Sequence, residues 1–472
     1  MKNYDSLEAF KYGFLISEEL PSNPEKLEGW SYNNLSNYHI YSHPSLKIQT
    51  IKTKYGHAVI IGDIFVAKGN KSIHKIINKL INKEDWDAFD KLSGRFAIFL
   101  ISKSSAKVLH DPFGSRTIYY RQEESFGVSS HSTLLAEAFN ESIDENAKSF
   151  IKLPEYAQRG TGYLPGDATM YKNIKLLVPN NYYDVCSRNT VRYWPRKPIK
   201  KTSFNKFLKE CDEYFQNFNS YVNKHYSLLL GLTGGVDSRA LIAGLNQSNS
   251  QIRLITWSGK RLPESEFPIV ENMKSYLDLP HFYMDPSPIP DSENFQKYRN
   301  LASVSTGYSR GGSILTGHMS ELNFLNNEVF VRGWGGEIIR GFYNRHNQHV
   351  SNSLSEDFFQ YYKGGKLKNP SYEFESFTRQ AIQGFISRGN YDKELFNIDV
   401  RDLYYWEQRM GTWGANMLNE LDPVIYSLIG LNSRPLFEKA FGLKEDERLG
   451  KDIMINITKR YDVKLAKMGV VS

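Results

Sequence analysis

Leu228-Leu229-Leu230-Gly231-Leu232-Thr233-Gly234-Gly235-Val236-Asp237-Ser238-Arg239 is the stretch that decides the fold of this chain. Its apolar run (226–232) predicts a strand, and SRALIAGLNQ (238–247) predicts a helix that starts at once. Between them lie two glycines, an aspartate and two hydroxyls. Such a turn builds an anion cradle. Glycines let the backbone approach a phosphate chain with no Cβ in the way. Successive N–H groups and the positive end of the helix face the same anion. Thr233 and Ser238 can donate hydroxyl hydrogen bonds, and Asp237 can hold a Mg²⁺ that bridges phosphate oxygens. The spacing and the lysine of a Walker A loop are missing. A bare Gly-Gly turn is better explained by chain geometry alone. The full hydroxyl-Gly-Gly-x-Asp-Ser string, directly after an apolar strand, favours the cradle.

Downstream the pattern continues with a strand (IRLITWSG, 252–259), a helix (EFPIVENMKSYLDL, 266–279) and a strand (HFYMD, 281–285). This alternation predicts an open parallel sheet with helices on its faces. Upstream, SFNKFLKECDEYFQNFNSYVNK (203–224) repeats apolar residues at helical spacing, and PRKPIKKTS (195–203) has the basic, proline-bearing character of a linker. The first 195 residues are rich in strand: HAVIIGDIFVA (57–67), GRFAIFLIS (94–102), KVLHD (107–111), TIYYRQ (117–122) and NNYYDV (180–185). Helices are predicted over 71–83 and near 132–139. After 340 the chain reads mostly helical, and the polar stretch 344–395 is expected to leave the core as an excursion.

Composition narrows the class. The 472 residues suggest two or three domains, and 40% apolar with 14% aromatic residues suffices for real cores. No run reaches the roughly 18 apolar residues of a membrane span, and the N-terminus does not read as a secretory signal. Cys186 and Cys211 form no C-x-x-C pair, which argues against a disulfide scaffold or a cysteine zinc site and fits a reducing cytoplasm. The net charge of +7 is diluted over a long chain, so no nucleic-acid partner is expected.

The string at 233–238 resembles the S-G-G-x-D-S loop of the N-type ATP pyrophosphatases, with Thr233 in place of the first serine. Other segments narrow the resemblance to the asparagine synthetase-like family. They are Gly94-Arg95-Phe96-Ala97-Ile98-Phe99-Leu100, then Asp111-Pro112-Phe113-Gly114-Ser115-Arg116-Thr117-Ile118-Tyr119-Tyr120, then Tyr163-Leu164-Pro165-Gly166, Tyr171-Lys172-Asn173-Ile174-Lys175 and Arg192-Tyr193-Trp194. The resemblance implies α+β and α/β architecture. Residues 1–198 would form an antiparallel glutaminase-like (Ntn-type) sandwich, and 199–472 a parallel-sheet PP-loop synthetase domain. Working glutaminases of the family begin with a nucleophilic cysteine. Here Lys2 follows Met1, so the N-terminal domain is expected to be a remnant without glutaminase activity. Members lacking that cysteine, such as β-lactam synthetase-like enzymes and lasso peptide cyclases, join an amine already present in the substrate.

Carried over residue by residue, the resemblance implies that Leu232, Thr233, Gly234, Gly235, Asp237 and Ser238 hold the phosphates of ATP. Thr256, Trp257 and Ser258 lie where adenine is bound, and Trp257 reads equally well as core. Gly333-Trp334-Gly335-Gly336-Glu337 resembles the family's second acidic segment. Gly335 and Gly336 then approach the nucleotide, and Glu337 joins Asp237 as a Mg²⁺ ligand. An exposed carboxylate at a helix start is the plain alternative for Glu337. Lys451 lies where the family's essential lysine opens a helix and would stabilise developing charge, and its plain alternative is a solvated lysine in a basic tail. Glu420, in Asn419-Glu420-Leu421-Asp422-Pro423, is a candidate base. Gly307, Ser309, Gly311, Gly312 and Ser313 are candidates for the pocket wall, and the stretch reads equally well as a flexible loop. The activity implied is an AMP- and pyrophosphate-forming amide ligase that adenylates a carboxylate and joins it to an amine, with ring closure of a ribosomal peptide precursor preferred. A leader-peptide-binding protein or a protease would then be its partner. The alternatives are amidation of a small or sugar acid, a PP-loop RNA-modifying enzyme, and a degenerate scaffold.

Overall fold

The computed structural model describes residues 4–123, 125–245, 251–345 and 351–470. Among these, the first half of the chain supplies twelve strands. They begin with β1 (Phe14–Ser17), β2 (Ser31–Leu35), β3 (Tyr38–Ser42), β4 (Ile48–Thr53), β5 (Gly56–Val66) and β6 (Leu92–Ser102). They continue with β7 (Ala106–His110), β8 (Tyr119–Arg121), β9 (Gly127–Ser129), β10 (Ile174–Leu176), β11 (Asn181–Asp184) and β12 (Asn189–Arg192). They form two antiparallel sheets, ordered β10-β8-β9-β1-β3-β2 and β12-β11-β7-β6-β5-β4. Side-chain alternation shows why the middle stretches of β5 and β6 read as apolar runs. Val59, Ile61, Ala97, Phe99 and Ile101 face Phe14, Ile16 and Val128 of the other sheet, closing the sandwich core. Their neighbours Ala58, Ile60, Phe96, Ile98 and Leu100 face the opposite way, into a second core beneath the helices. Burial on both faces produces a continuous apolar run rather than an alternating one. The helix expected over 71–83 spans Ile73–Lys83, is capped by the Ser72 hydroxyl, and buries Ile76, Ile77 and Leu80.

The second half carries the parallel sheet: β13 (Ser227–Gly231), β14 (Ile252–Trp257), β15 (His281–Met284), β16 (Glu328–Arg332) and β17 (Ser427–Ile429). Its order is β15-β14-β13-β16-β17, with every pairing parallel. The expected class, α+β joined to α/β, is the one observed. The helix expected over 238–247 runs from Val236 to Leu245; positions 246–247 lie outside the described residues, as do Met1 and Lys2, on which the argument about the missing nucleophile rests.

Two expectations need correction. The stretch 344–395 is no excursion. Its helices Leu354–Lys363 and Tyr372–Arg388 pack against the first half of the chain. Arg388 donates twice to Asp167 at 2.6 and 2.7 Å, and the Tyr362 hydroxyl donates to the Tyr163 carbonyl at 2.7 Å. Its buried face is aromatic (Phe358, Phe359, Tyr361, Tyr362, Phe385) and was hidden by intervening polar residues. Nor is 195–203 a free linker. Arg196 bonds Asp87 and Asp90, and the Thr202 N–H donates to the Gly442 carbonyl at 2.8 Å.

The segments that carry the resemblance in the first half hold the two halves together. The Asp111 carboxylate accepts from the N–H groups of Phe113, Ser115 and Arg116 and from the Asn432 amide. Arg116 donates to the Tyr426 hydroxyl at 2.8 Å. Arg95 makes two bonds of 2.6 Å to Asp422. Both Arg95 and Asp422 are wholly buried.

Candidate active site

In chain order the parallel sheet reads 3-2-1-4-5. The order reverses between β13 and β16, so the loops that leave these adjacent strands turn to opposite sides and open a crevice at their carboxyl ends. Open α/β sheets bind ligands at such a switch point. The loop 232–235 leaves β13 here, and the segment 333–335 leaves β16 beside it.

The two loops are fitted to each other at backbone level. A Cβ at Gly333 would lie 3.0 Å from the Ser238 backbone, and one at Gly336 would lie 2.3 Å from Asp237 Oδ1. Gly335 has φ +98°, and a Cβ there would stand 2.1 Å from the Leu431 carbonyl oxygen. Asp237 opens one helix and Glu337 another (Gly336–Ile339), so both carboxylates sit at helix N-termini across the crevice. Burial, then the neighbouring Asp237 charge, pushes the Glu337 carboxyl up to about 7, and its Oε2 is buried without a partner among the described residues. Arg340 answers Asp237 with two bonds, 3.0 and 2.8 Å long.

The loop's donors suit an anion. The Gly234 N–H donates to Glu266 Oε1 at 2.6 Å, so one loop donor already carries a carboxylate. The Thr233 and Ser238 hydroxyls lie 2.6 Å apart. Among the described residues no cluster of three or more His, Cys, Asp or Glu side chains gathers as a metal site. Asp237 and Glu337 nevertheless fit a Mg²⁺ that takes its remaining oxygens from phosphate and water, because Mg²⁺ commonly keeps only one or two protein carboxylates.

Lys451 is brought to this region by backbone packing. It stands at the start of the helix Asp452–Tyr461, which packs on Val236–Leu245. The Gly450 N–H lies 3.4 Å from the Arg340 carbonyl, and Gly341 leaves room for Leu449. Arg239, quoted with the loop but given no role above, donates to the carbonyls of Met468, Gly469 and Gly234, tying the C-terminal segment to the loop.

Other candidates are placed differently. The Thr256 side chain is buried, donates to the Leu232 carbonyl at 2.7 Å, and lies 2.9 Å from His281 Nε2, so it braces the loop, and the backbone of this strand is what could read an adenine edge. Trp257 packs edge-on against Phe330, and the Ser258 N–H donates to the Met284 carbonyl. Gly307 caps the helix Glu293–Thr306. Ser313 bonds the backbone of Arg310, with Ser309 3.3 Å away. A Cβ at Gly312 would meet Glu420 Oε2 at 2.0 Å, so this glycine makes room for a buried carboxylate.

Glu420 is fully enclosed. Among the described residues neither carboxylate oxygen has a hydrogen-bond partner, and Arg310 Nε lies 3.7 Å away. Burial pushes its carboxyl up to about 7 against the pull of Arg310. A folded-state value above the ordinary carboxylate range gives a stabilising contribution that is complete at acid pH and is lost as pH rises through about 7. Glu420→Gln is therefore expected to flatten the loss of stability between pH 5 and 8, by on the order of 1–3 kcal/mol at the alkaline end. Urea denaturation of both proteins across this range measures the effect, and parallel pH profiles would contradict it.

No protein-family model matches the chain, and no curated protein matches it significantly. Solved structures with some likeness include the NMN synthetase from Francisella tularensis, at 14% identity, covering 44% of this chain and 94% of that one with a TM-score of 0.22. The NAD+ synthetase from Burkholderia pseudomallei is 10% identical, over 56% and 89% of the two chains, with a TM-score of 0.21. The glutamine phosphoribosylpyrophosphate amidotransferase from B. subtilis, complexed with ADP and GMP, is 11% identical over 72% and 73%, with a TM-score of 0.22.

Proposed function

We propose that this chain is an ATP-dependent carbon–nitrogen ligase that forms AMP and pyrophosphate. The observation that carries the reading is the meeting of the 233–238 loop, Asp237 and Glu337 at the switch point between β13 and β16, with Lys451 packed alongside. A substrate carboxylate attacks the α-phosphorus of ATP, the bond to the β-phosphate breaks, and pyrophosphate leaves. An amine then attacks the acyl-adenylate carbonyl and expels AMP, losing its proton as the amide forms.

The loop N–H groups and the hydroxyls of Thr233 and Ser238 hold the leaving diphosphate. Asp237 and Glu337 are the residues that would hold Mg²⁺. When bound, Mg²⁺ supplies charge neutralisation on the phosphates. Lys451 places a cation where negative charge develops on the phosphate and the carbonyl oxygen, and such preorganised charge is the main catalytic contribution of a site of this kind. In the finer reading, acid and amine belong to one peptide and the product is a ring. A leader-peptide-binding protein or a protease would then deliver the peptide.

The test is mass spectrometry of acids and peptides incubated with ATP and Mg²⁺. The expected result is AMP, pyrophosphate and a product lighter than its precursor by one water. Appearance of ADP would contradict the ligase chemistry. Dependence of the product on added ammonium would replace ring closure with amidation.

A further inference from the structure

Beside the switch point lies a set of side chains that nothing above employs. β16 ends at Arg332, whose guanidinium stands 3.9 Å from the ring centre of Trp334. Trp334 lies 5.4 Å from Trp413, centre to centre, and Phe113 stacks nearly parallel to it at 6.4 Å. The guanidinium of Arg409 stands 3.9 Å from Trp413. Two tryptophans in contact thus each hold an arginine. Stacking on an indole fixes the plane of a guanidinium and leaves its edge donors for another partner.

The neighbouring arginines are each matched to a carboxylate: Arg340 to Asp237, Arg310 to Glu420, Arg448 to Asp402. Arg332 and Arg409 are not. Among the described residues neither has a carboxylate in ion-pair contact, and Nη1 of each is buried without a hydrogen-bond partner, as is Nη1 of Arg310 and of Arg340. Burial without a matched charge pushes the Arg332 guanidinium down to about 10, with Glu337 pulling the other way. Glu337 also feels Arg409, which places both cations within electrostatic reach of the crevice.

The backbone that presents Arg409 and Trp413 is unusual as well. Tyr404–Gly414 is wound as a π-helix over eleven residues. Such winding is rare beyond a single turn and concentrates at functional sites. Arg310 Nη2 donates to the Trp413 carbonyl at 3.2 Å and ties down the backbone there.

We propose that Arg332 and Arg409 form a paired-guanidinium subsite that binds a second anionic group of the acid substrate, adjacent to the carboxylate that becomes activated. The inference rests on the ligase reading and deepens it, because it names the substrate class: acids that carry two anionic groups. Two forked donors, each held on one of two touching indoles whose planes are tilted by 41°, suit the oxygens of a carboxylate or phosphate. A single carboxylate satisfies one need only, either activation or anchoring.

The experiment is isothermal titration of the full chain with butyrate, glutarate and 3-phosphonopropionate, alongside a separate titration with ATP and Mg²⁺. Glutarate or 3-phosphonopropionate is expected to bind at least tenfold more tightly than butyrate, and the better of the two tells carboxylate from phosphate-type chemistry. Arg332→Gln and Arg409→Gln should each weaken that binding at least tenfold, with Arg409→Lys in between. Thermal unfolding of each variant confirms that it is folded. If the wild-type chain binds ATP but takes the two-anion probes no better than butyrate, or if both glutamine variants bind them unchanged, the subsite is overturned and the ligase reading stands. If ATP does not bind while the arginine-dependent affinity is present, the subsite stands and the ligase reading falls.

Discussion

Asp237→Asn is expected to lower ATP-dependent pyrophosphate release by at least about 10²–10³-fold, the loss found when a preorganised charge-stabilising group is removed from an active site. The substitution keeps the shape of the side chain. It removes the charge opposite Glu337 and the partner of Arg340, whose two bonds of 3.0 and 2.8 Å are made to the carboxylate. The fold should survive, because Asp237 is partly exposed at a helix start and the helix behind it is anchored by Val236, Ala240, Leu241 and Leu245. Pyrophosphate release followed by a coupled assay, with ATP titrated in the presence and absence of Mg²⁺, separates lost binding from lost turnover. Undiminished release from Asp237→Asn would remove the metal assignment, and with it the reason for reading 233–238 as a diphosphate cradle.

The second large effect concerns stability. Arg95→Met is expected to destabilise the protein by about 3–5 kcal/mol, since it leaves a buried carboxylate with no opposing charge. Arg95 lies on β6 of the sandwich, and its partner Asp422 lies just past the helix Ala415–Leu421 of the other half. The same guanidinium donates to the Ser115 carbonyl at 3.1 Å, to Asn419 Oδ1 at 3.2 Å and to the Ser427 carbonyl at 3.4 Å, so with Asp422 four groups lose a donor together. The double variant Arg95→Met, Asp422→Leu removes both charges and should recover much of the loss. Urea denaturation gives the comparison. A single-variant loss below 1 kcal/mol would show that this ion pair adds little to what holds the halves together.

These expectations differ in how far the sequence could supply them. The loop at 233–238 was legible because its requirements are local: an apolar strand, glycines at the turn, a hydroxyl and a carboxylate at a helix start. The long strands β5 and β6 were legible because burial on both faces leaves an unbroken apolar run. β2 was not. Its residues SYNNL are nearly all exposed, and it is a strand only because β3 pairs with it. β16 and β17 were missed for a related reason: β17 has three residues, and its place at the sheet edge is set by Phe330↔Ser427 pairing across about a hundred residues of chain. The aromatic helices within 344–395 were mistaken for an excursion because their polar faces dominate the local count.

Asp237 and Glu337 could be named from their motifs, but their approach across the crevice could not. Arg340 carried a faint signal, lying three residues after Glu337 at the end of the same short helix. Arg332, Arg409 and Trp413 carried none, because their meeting depends on a π-wound segment packing beside the end of β16. Local chain chemistry by itself determined where the strand turns into a helix and which groups stand ready at that turn. The tertiary structure alone decided which strands are neighbours, where the sheet order reverses, and which distant charges face one another. Turns follow from steric and hydrogen-bonding limits over a few residues, whereas a crevice exists only once separate strands have been brought into register.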